Sequence, residues 1–266
     1  MVTPLGVGRG PSWEGLIAGR SGAGPIHGYD ASDSPVTFAC EVDGFDPTTV
    51  MHHKQARRTD RFTQFALAAA REAVADAGLD IAGHEAPERI GTSLATGIGG
   101  LRTLQVAHQH LFESGPGRMN PMWITMLIPN MGSAMISMEL GTRGPCAASC
   151  TACAASSMAI GDAATYIRQE KADVMLAGGS EAPVTPVAIG GFFAMRAISQ
   201  RNDDPERASR PFDAGRDGFV MGEGSSVLVL EELEHARARG ATIYGELLGY
   251  GLSSDAAHVT EPDPTG

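Results

Sequence analysis

From Arg61 the segment "RFTQFALAAAREAVADAGLD" puts Phe62, Phe65, Leu67, Ala69, Ala73 and Val74 at near-helical spacing, and Gly78 stands where a helix C-cap belongs. The pattern then shortens. Ile90 to Thr96 alternates as a strand and runs into "GIGG", after which "LRTLQVAHQHLFES" predicts a second helix closed by "GPG". "GPCAASC" predicts a short strand, "AASSMAIGDAATYIRQEKA" a helix dense in small residues, and "DVMLAGGSEAP" a buried strand. Val227 to Leu230 predicts another strand with a helix behind it, and "TIYGELLGYG" begins one more. Strands alternating with helices imply an α/β fold, with a mostly parallel or mixed sheet covered on both faces.

Composition narrows the class. With 266 residues, 42% of them hydrophobic, the chain can bury a sizeable core as one large or two moderate domains. No apolar run reaches the roughly 18 residues of a membrane span, and the opening "MVTPLGVGRGPSWEG" lacks a secretory pattern. A soluble, cytoplasmic protein is expected. A net charge of −11 argues against nucleic acid and anionic membrane as partners. One local exception is "HHKQARRTDR", which carries Lys54, Arg57, Arg58 and Arg61; its plain alternative is a solvated helix start. Both ends look cut: the "TPLG" start lacks a preceding strand and the last residues stop in a loop.

Three of the four cysteines, Cys146, Cys150 and Cys153, fall within "GPCAASCTACAASS". Cys150 and Cys153 have C-x-x-C spacing, but no second pair or histidine set completes a metal site, so no metal is expected. A redox pair stays open. Cys146 and Cys150, among alanines, suit buried filler. Cys153 lies where the strand stops and the small-residue helix begins. There unpaired N–H groups and the helix dipole favour a thiolate, and the sulfur is left exposed on a sharp turn. That is the arrangement of a nucleophile elbow.

Several stretches, in order and over the whole length, closely resemble the elongating β-ketoacyl-(acyl carrier protein) synthases of type II fatty acid synthesis. They are "GPCAASCTACAASSMAIGDAATYI", "ADVMLAGGSEAPVTPVAIGGFFAMRAIS", "RNDDPERASRPFDAGRDGFVMGEGSSVLVLEELEHARARGA" and "YGLSSDAAHVTEPDPTG". The resemblance implies a thiolase-like layered α/β/α architecture. Residues 1–241 are expected to be its N-terminal half, with the first strand apparently missing, and 242–266 the truncated start of the second half. It implies that Cys153 accepts an acyl group from carrier-protein phosphopantetheine, before a malonyl unit loses carbon dioxide and attacks the thioester. A thiolate is both nucleophile and leaving group, which suits it to this exchange.

The two histidines that the family uses for decarboxylation sit in "HGT" and "GH" motifs of the C-terminal half, and this sequence is expected to end before either. His258, in "DAAHVTEP", occupies a different position, and the 266 residues alone are expected to lack condensing activity. By the same resemblance Phe192 lines the acyl channel and Ile98 forms its far wall; plain core packing is the alternative for each. Lys54, Arg57, Arg58, Arg118 and Arg196 match basic residues that contact the acidic carrier protein, and Thr260 a contact to pantetheine. No separate cofactor is implied, the acyl groups being carried on the carrier's phosphopantetheine. The stretch Met119 to Met138, with six of the twelve methionines, matches a homodimer interface that also lines the acyl tunnel. Arg210, Asp213, Arg216 and Asp217 are expected to form internal ion pairs bracing the cysteine pocket. A polyketide ketosynthase, or a non-catalytic chain-length subunit, remains the alternative, and Cys153 argues against the latter.

Overall fold

The computed structural model of the chain describes residues 1–265. The first half of the chain holds β1 (Val2–Thr3), β2 (Gly6–Val7), α1 (Arg9–Ile17), β3 (Gly24–Pro25), β4 (Phe38–Ala39), α2 (His53–Ala56) and α3 (Arg61–Ala77). Then come β5 (Ile90–Ala95), α4 (Leu101–Ser114), α5 (Trp123–Leu127), α6 (Met131–Leu140) and β6 (Cys146–Ala147). α7 (Ala155–Arg168), β7 (Val174–Glu181), α8 (Pro186–Ala194), β8 (Gly224–Glu231) and α9 (Leu233–Ala238) follow.

Six strands form the main sheet in the order β2-β1-β8-β7-β5-β6. β6 and β7 flank β5 in parallel, with Thr92 opposite Cys146 and Ile90 opposite Val174. β8 runs antiparallel to β7, from Val174 opposite Glu231 to Glu181 opposite Gly224, and β1 is antiparallel to both β8 and β2. The sheet is therefore mixed, parallel on one side of β7 and antiparallel on the other.

Alternation along β7 builds the layers. Val174 and Leu176 enter a core with Ala66, Leu67 and Ala70 of α3 and Ile136 of α6. Met175 and Ala177 point the other way, against Ile160, Ala163 and Ile167 of α7. A strand covered on both faces has no polar side to offer, which is why β7 reads as a continuous run of apolar and small residues. α3 is specified locally: Asp60 accepts a hydrogen bond from the Phe62 N–H at 3.3 Å, and Gly78 ends the helix at φ 59°. That left-handed cap costs a glycine little. A second core, with Phe38, Ile189, Ile198 and Met221, packs around α8.

The amino ends of β5 and β7 are clamped by a fork-to-fork pair. Arg89 Nε donates to Asp173 Oδ2 at 2.9 Å and its Nη2 to Oδ1. The Arg89 hydrogen bonds hold the Asp173 carboxyl below the usual carboxylate range. A depressed acid contributes stability above its unfolded pKa of about 3.9, and that contribution is lost as pH falls through the lower folded value. Asp173→Asn is expected to lower stability at neutral pH and to flatten the acid-side loss below about pH 4. Urea titrations between pH 3 and 7 measure both.

Two expectations change, for residues 242–251 and for the charged loop. Residues 242–251 form no strand; Ile243, Tyr244, Leu247 and Leu248 are exposed along a segment without regular structure. An alternating pattern makes a strand only where a ladder partner completes its hydrogen bonds, and none lies beside this one among the described residues. The opening residues form the short hairpin of β1 and β2 against β8. In the Met119–Met138 stretch only Gly132, Ser133, Met135 and Ile136 are buried, while Ile124 and Met138 lie open. The charged loop has one ion pair of the expected kind, Arg201 to Asp217 at 3.4 Å. Arg210 and Arg216 instead donate to the carbonyls of Arg207 and Asp213, acceptors that a tight loop brings closer than any carboxylate.

Candidate active site

Loops leaving the carboxyl ends of β5, β6 and β7 meet at one edge of the sheet, the place where open α/β sheets bind ligands. After β6 the chain reaches Thr151 at φ −132°, ψ 44° and then Ala152 at φ 49°. A left-handed alanine is strained, and such strain persists only where surrounding packing imposes it. Ala152–Ala154 form one 3-10 turn that passes directly into α7. Cys153 rides on this turn with its side chain exposed. No side chain caps α7, and the 3-10 turn takes up its leading N–H groups, Ala154 donating to the Thr151 carbonyl and Ala155 to the Ala152 carbonyl; the Cys153 N–H has no acceptor among the described residues and is left for an anion formed at that end.

The small residues of α7 are explained by closeness. Ala155 and Ala159 pack on Ala95 of β5, and a Cβ at Gly179 would stand only 1.8 Å from the Ser156 hydroxyl. At Gly161 a Cβ would strike the Tyr250 ring at 2.2 Å. The foot of the elbow is tied down as well. Ser149 Oγ donates to Asp162 Oδ2 at 3.1 Å, and the Tyr250 hydroxyl donates to Oδ1 at 3.2 Å.

Cys146 and Cys150 are exposed free thiols, which corrects their reading as buried filler. Cys146 belongs to the edge strand β6, which has no neighbour on its outer side to cover it. The Cys150 thiol donates to the Gly97 carbonyl at 3.4 Å and so links the elbow to the turn after β5. Among the described residues the His, Cys, Asp and Glu side chains close enough to share a metal are His27, Glu41 and Asp43, with no cysteine in the group.

Ile98 sits in the turn between β5 and α4, 40% exposed, and its N–H donates to Glu181 Oε2 at 3.0 Å. Phe192 is half-buried on α8 and stacks edge-on against Phe219 with centroids 5.0 Å apart. Leu101, three residues past Ile98, packs on the same core as Phe192. The turn after β5 thus lies between the elbow and the aromatic pair. Sequence reading missed Glu181. Its signal was an acid closing a fully buried strand. Thr96 Oγ1 donates to it at 2.9 Å and the Gly97 N–H donates to the same oxygen; burial pushes the carboxyl up against these bonds.

The basic residues lie on three separate elements. Lys54 is on α2, with Arg57 and Arg58 directly behind it; Arg118 is on the turn after α4, and Arg196 follows α8 at φ 56°. All five are exposed, and none forms an ion pair among the described residues. Lys54 and Arg58 border an open groove of about 620 Å³ floored by Met122, Met131, Met135 and Met138. Thr260 is exposed, and its N–H donates to His258 Nδ1 at 3.2 Å.

The comparisons agree with this geometry. The chain is 49% identical over 265 residues to the 3-oxoacyl-(acyl-carrier-protein) synthase 2 of Synechocystis sp., covering 100% of this chain and 64% of that protein. It superposes with TM-score 0.89 and 35% identity on the crystal structure of a β-ketoacyl synthase from Burkholderia phymatum, covering 99% of this chain and 65% of that one. A type II polyketide acyl-carrier protein in complex with its ketosynthase matches with TM-score 0.85 and 31% identity, over 97% of this chain and 62% of that one. The chain therefore spans about 64% of the length of its curated relative. The family profile for the β-ketoacyl synthase N-terminal domain matches residues 1–236, and to that family the chain belongs.

Proposed function

We propose that this chain is the acyl-accepting portion of an elongating 3-oxoacyl-(acyl carrier protein) synthase of fatty acid synthesis. The observation that carries the reading is Cys153, exposed on a strained turn at the uncapped start of α7, at the carboxyl ends of parallel strands. The Cys153 thiolate attacks the thioester carbonyl of an acyl-pantetheine arm. The carbonyl oxygen takes up the negative charge beside the Cys153 N–H, and the pantetheine sulfur departs and takes a proton. The Cys153 proton is lost to solvent beforehand, so the exchange leaves one thioester and one thiol. Condensation with a malonyl unit needs two histidines that the family carries outside the sequence here, and it is assigned to the longer protein. Identity of 47–49% to several proteins named 3-oxoacyl-(acyl-carrier-protein) synthase 2 favours the fatty acid pathway.

Carrier protein is the proposed partner. Five exposed basic residues that form no ion pair among the described residues, on a chain of net charge −11, suit an acidic partner, and the similar ketosynthase is solved with its own acyl-carrier protein. Thr260 would contact the pantetheine arm, which needs no further cofactor. The exposed apolar side chains between Met119 and Met138 suit a homodimer interface in the longer protein. Residues 242–266 are read as the start of the second half, and the cytoplasm as the place of action; among the described residues no helix is long and apolar enough to cross a membrane.

The test is to incubate the chain with an acyl-carrier thioester and map the adduct by mass spectrometry. An acyl group on Cys153 is expected. Transfer to Cys146 or Cys150, or reversible closure of a Cys150–Cys153 disulfide in place of acylation, would sink the reading.

A further inference from the structure

Glu181 closes β7, and one of its oxygens does nearly all its bonding. Oε2 accepts from Thr96 Oγ1 at 2.9 Å, from the Ile98 N–H at 3.0 Å and from the Gly97 N–H. Oε1 is buried and has no partner within the described residues. Successive backbone N–H groups converging on one oxygen form an anion-binding concavity, and charge-assisted bonds to a carboxylate are stronger than those to a neutral acceptor. A folded protein rarely leaves a buried carboxyl oxygen unpaired, and those that persist ask for an explanation.

The turn held in this way is central to the site. Gly97 gives its carbonyl to the Cys150 thiol at 3.4 Å. A Cβ built on Gly97 would lie 3.0 Å from Glu181 Oε2 and 3.7 Å from Cα of Ala152, the strained residue before Cys153. Thr96 N–H donates to the Ser149 carbonyl at 3.4 Å, on the same elbow. Ile98, the proposed far wall, is the next residue along. One carboxylate thus stands behind both the wall and the elbow, at the point where the two loops touch. A side chain at 97 would crowd the Glu181 carboxylate, which would have to give by a few tenths of an ångström, and would touch the elbow only in ordinary contact.

We infer that Glu181 is a positioning residue that fixes the Thr96–Gly99 turn against the cysteine elbow and thereby sets the acyl length the site accepts. This rests on the proposed reading of Cys153 as acyl acceptor and Ile98 as wall. It does not make Glu181 a catalytic residue, since nothing places it in contact with the reacting atoms. Glutamine keeps an oxygen able to accept all three donors, whereas alanine removes it and frees Ile98 to give way to longer chains.

The experiment compares initial rates of Cys153 acylation by octanoyl- and hexadecanoyl-pantetheine in the unchanged chain and in E181Q, E181A and G97A. E181A is expected to raise the long-to-short ratio by about tenfold or more, the discrimination a pocket draws from one methylene. E181Q is expected to stay near the unchanged ratio. G97A keeps the acid but crowds its Oε2 against the turn, and should move the ratio in the same direction as E181A, by less; it carries the comparison if E181A does not fold. Amide hydrogen exchange, which needs no acyl transfer, should show protection lost at Gly97 and Ile98 in E181A and kept in E181Q. An unshifted ratio in both E181A and G97A overturns the length-setting role alone, as does a general rate loss equal for both donors. Unchanged exchange in E181A overturns the positioning role. No acylation of the unchanged chain overturns the proposed function, and the length-setting role with it.

Discussion

Cys153→Ala is expected to abolish acyl transfer to this chain, a loss of at least about a thousandfold, the scale on which removal of a nucleophile acts. Cys153→Ser should fare little better. A serine hydroxyl at the same place has no general base shown beside it, and as an alkoxide it is a poor leaving group for the second exchange. Cys146→Ala should leave the rate unchanged, because Cys146 lies on the edge strand β6, away from the turn. Cys150→Ala removes the thiol donated to the Gly97 carbonyl and should slow transfer by about tenfold at most, the size of one lost hydrogen bond. Intact-mass kinetics on the four variants rank them. Loss in Cys150→Ala as deep as in Cys153→Ala would mean that the two thiols act as a pair, and the acyl-transfer reading would have to yield to a redox one.

Reversing Lys54, Arg57 and Arg58 together to glutamate is expected to slow acylation from acyl-carrier protein on the order of a hundredfold at low salt, against about threefold for any one of them. These side chains are exposed and have no acidic partners in the described residues, so their charge acts outward. The loss should appear in association and shrink as salt rises, since exposed charges more than about 10 Å apart are screened at 0.1 M. Transfer from a plain pantetheine thioester, which lacks the acidic carrier, should change little, because the elbow and its turn do not involve these residues. Arg118 and Arg196, on separate elements, should add smaller effects of the same kind. Equal slowing with both donors would show that the three residues support the fold, and the docking role would be dropped.

Where local chemistry decides, the sequence by itself was enough. α3 is framed by Asp60 at one end and a left-handed Gly78 at the other, and the buried face between them follows the helical period. β7 reads as buried from its unbroken run of small and apolar residues. The elbow at Cys153 is visible as small residues flanking a cysteine at a strand-to-helix junction, and the resemblance of that stretch points to the same sulfur. Each of these signals spans fewer than twenty residues, within reach of turn geometry, capping and side-chain period.

Only the tertiary structure decided the rest. The direction of β8 is not written in its alternation, because a strand carries the same period whether its neighbour runs with it or against it; it is the pairing of Val174 with Glu231 that makes the sheet mixed. Cys146 and Cys150 look like core from their alanine neighbours, yet both are exposed, the first on the edge strand β6 and the second in the loop that follows it. "TIYGELLGYG" has strand composition yet forms no ladder, since hydrogen-bond partners belong to other segments of chain and not to the pattern. Glu181 meets the backbone of Gly97 and Ile98 across more than eighty residues of sequence. A carboxylate's partners at such separation depend on how the loops at the end of the sheet converge, and that convergence is a product of packing between layers, which no local pattern encodes.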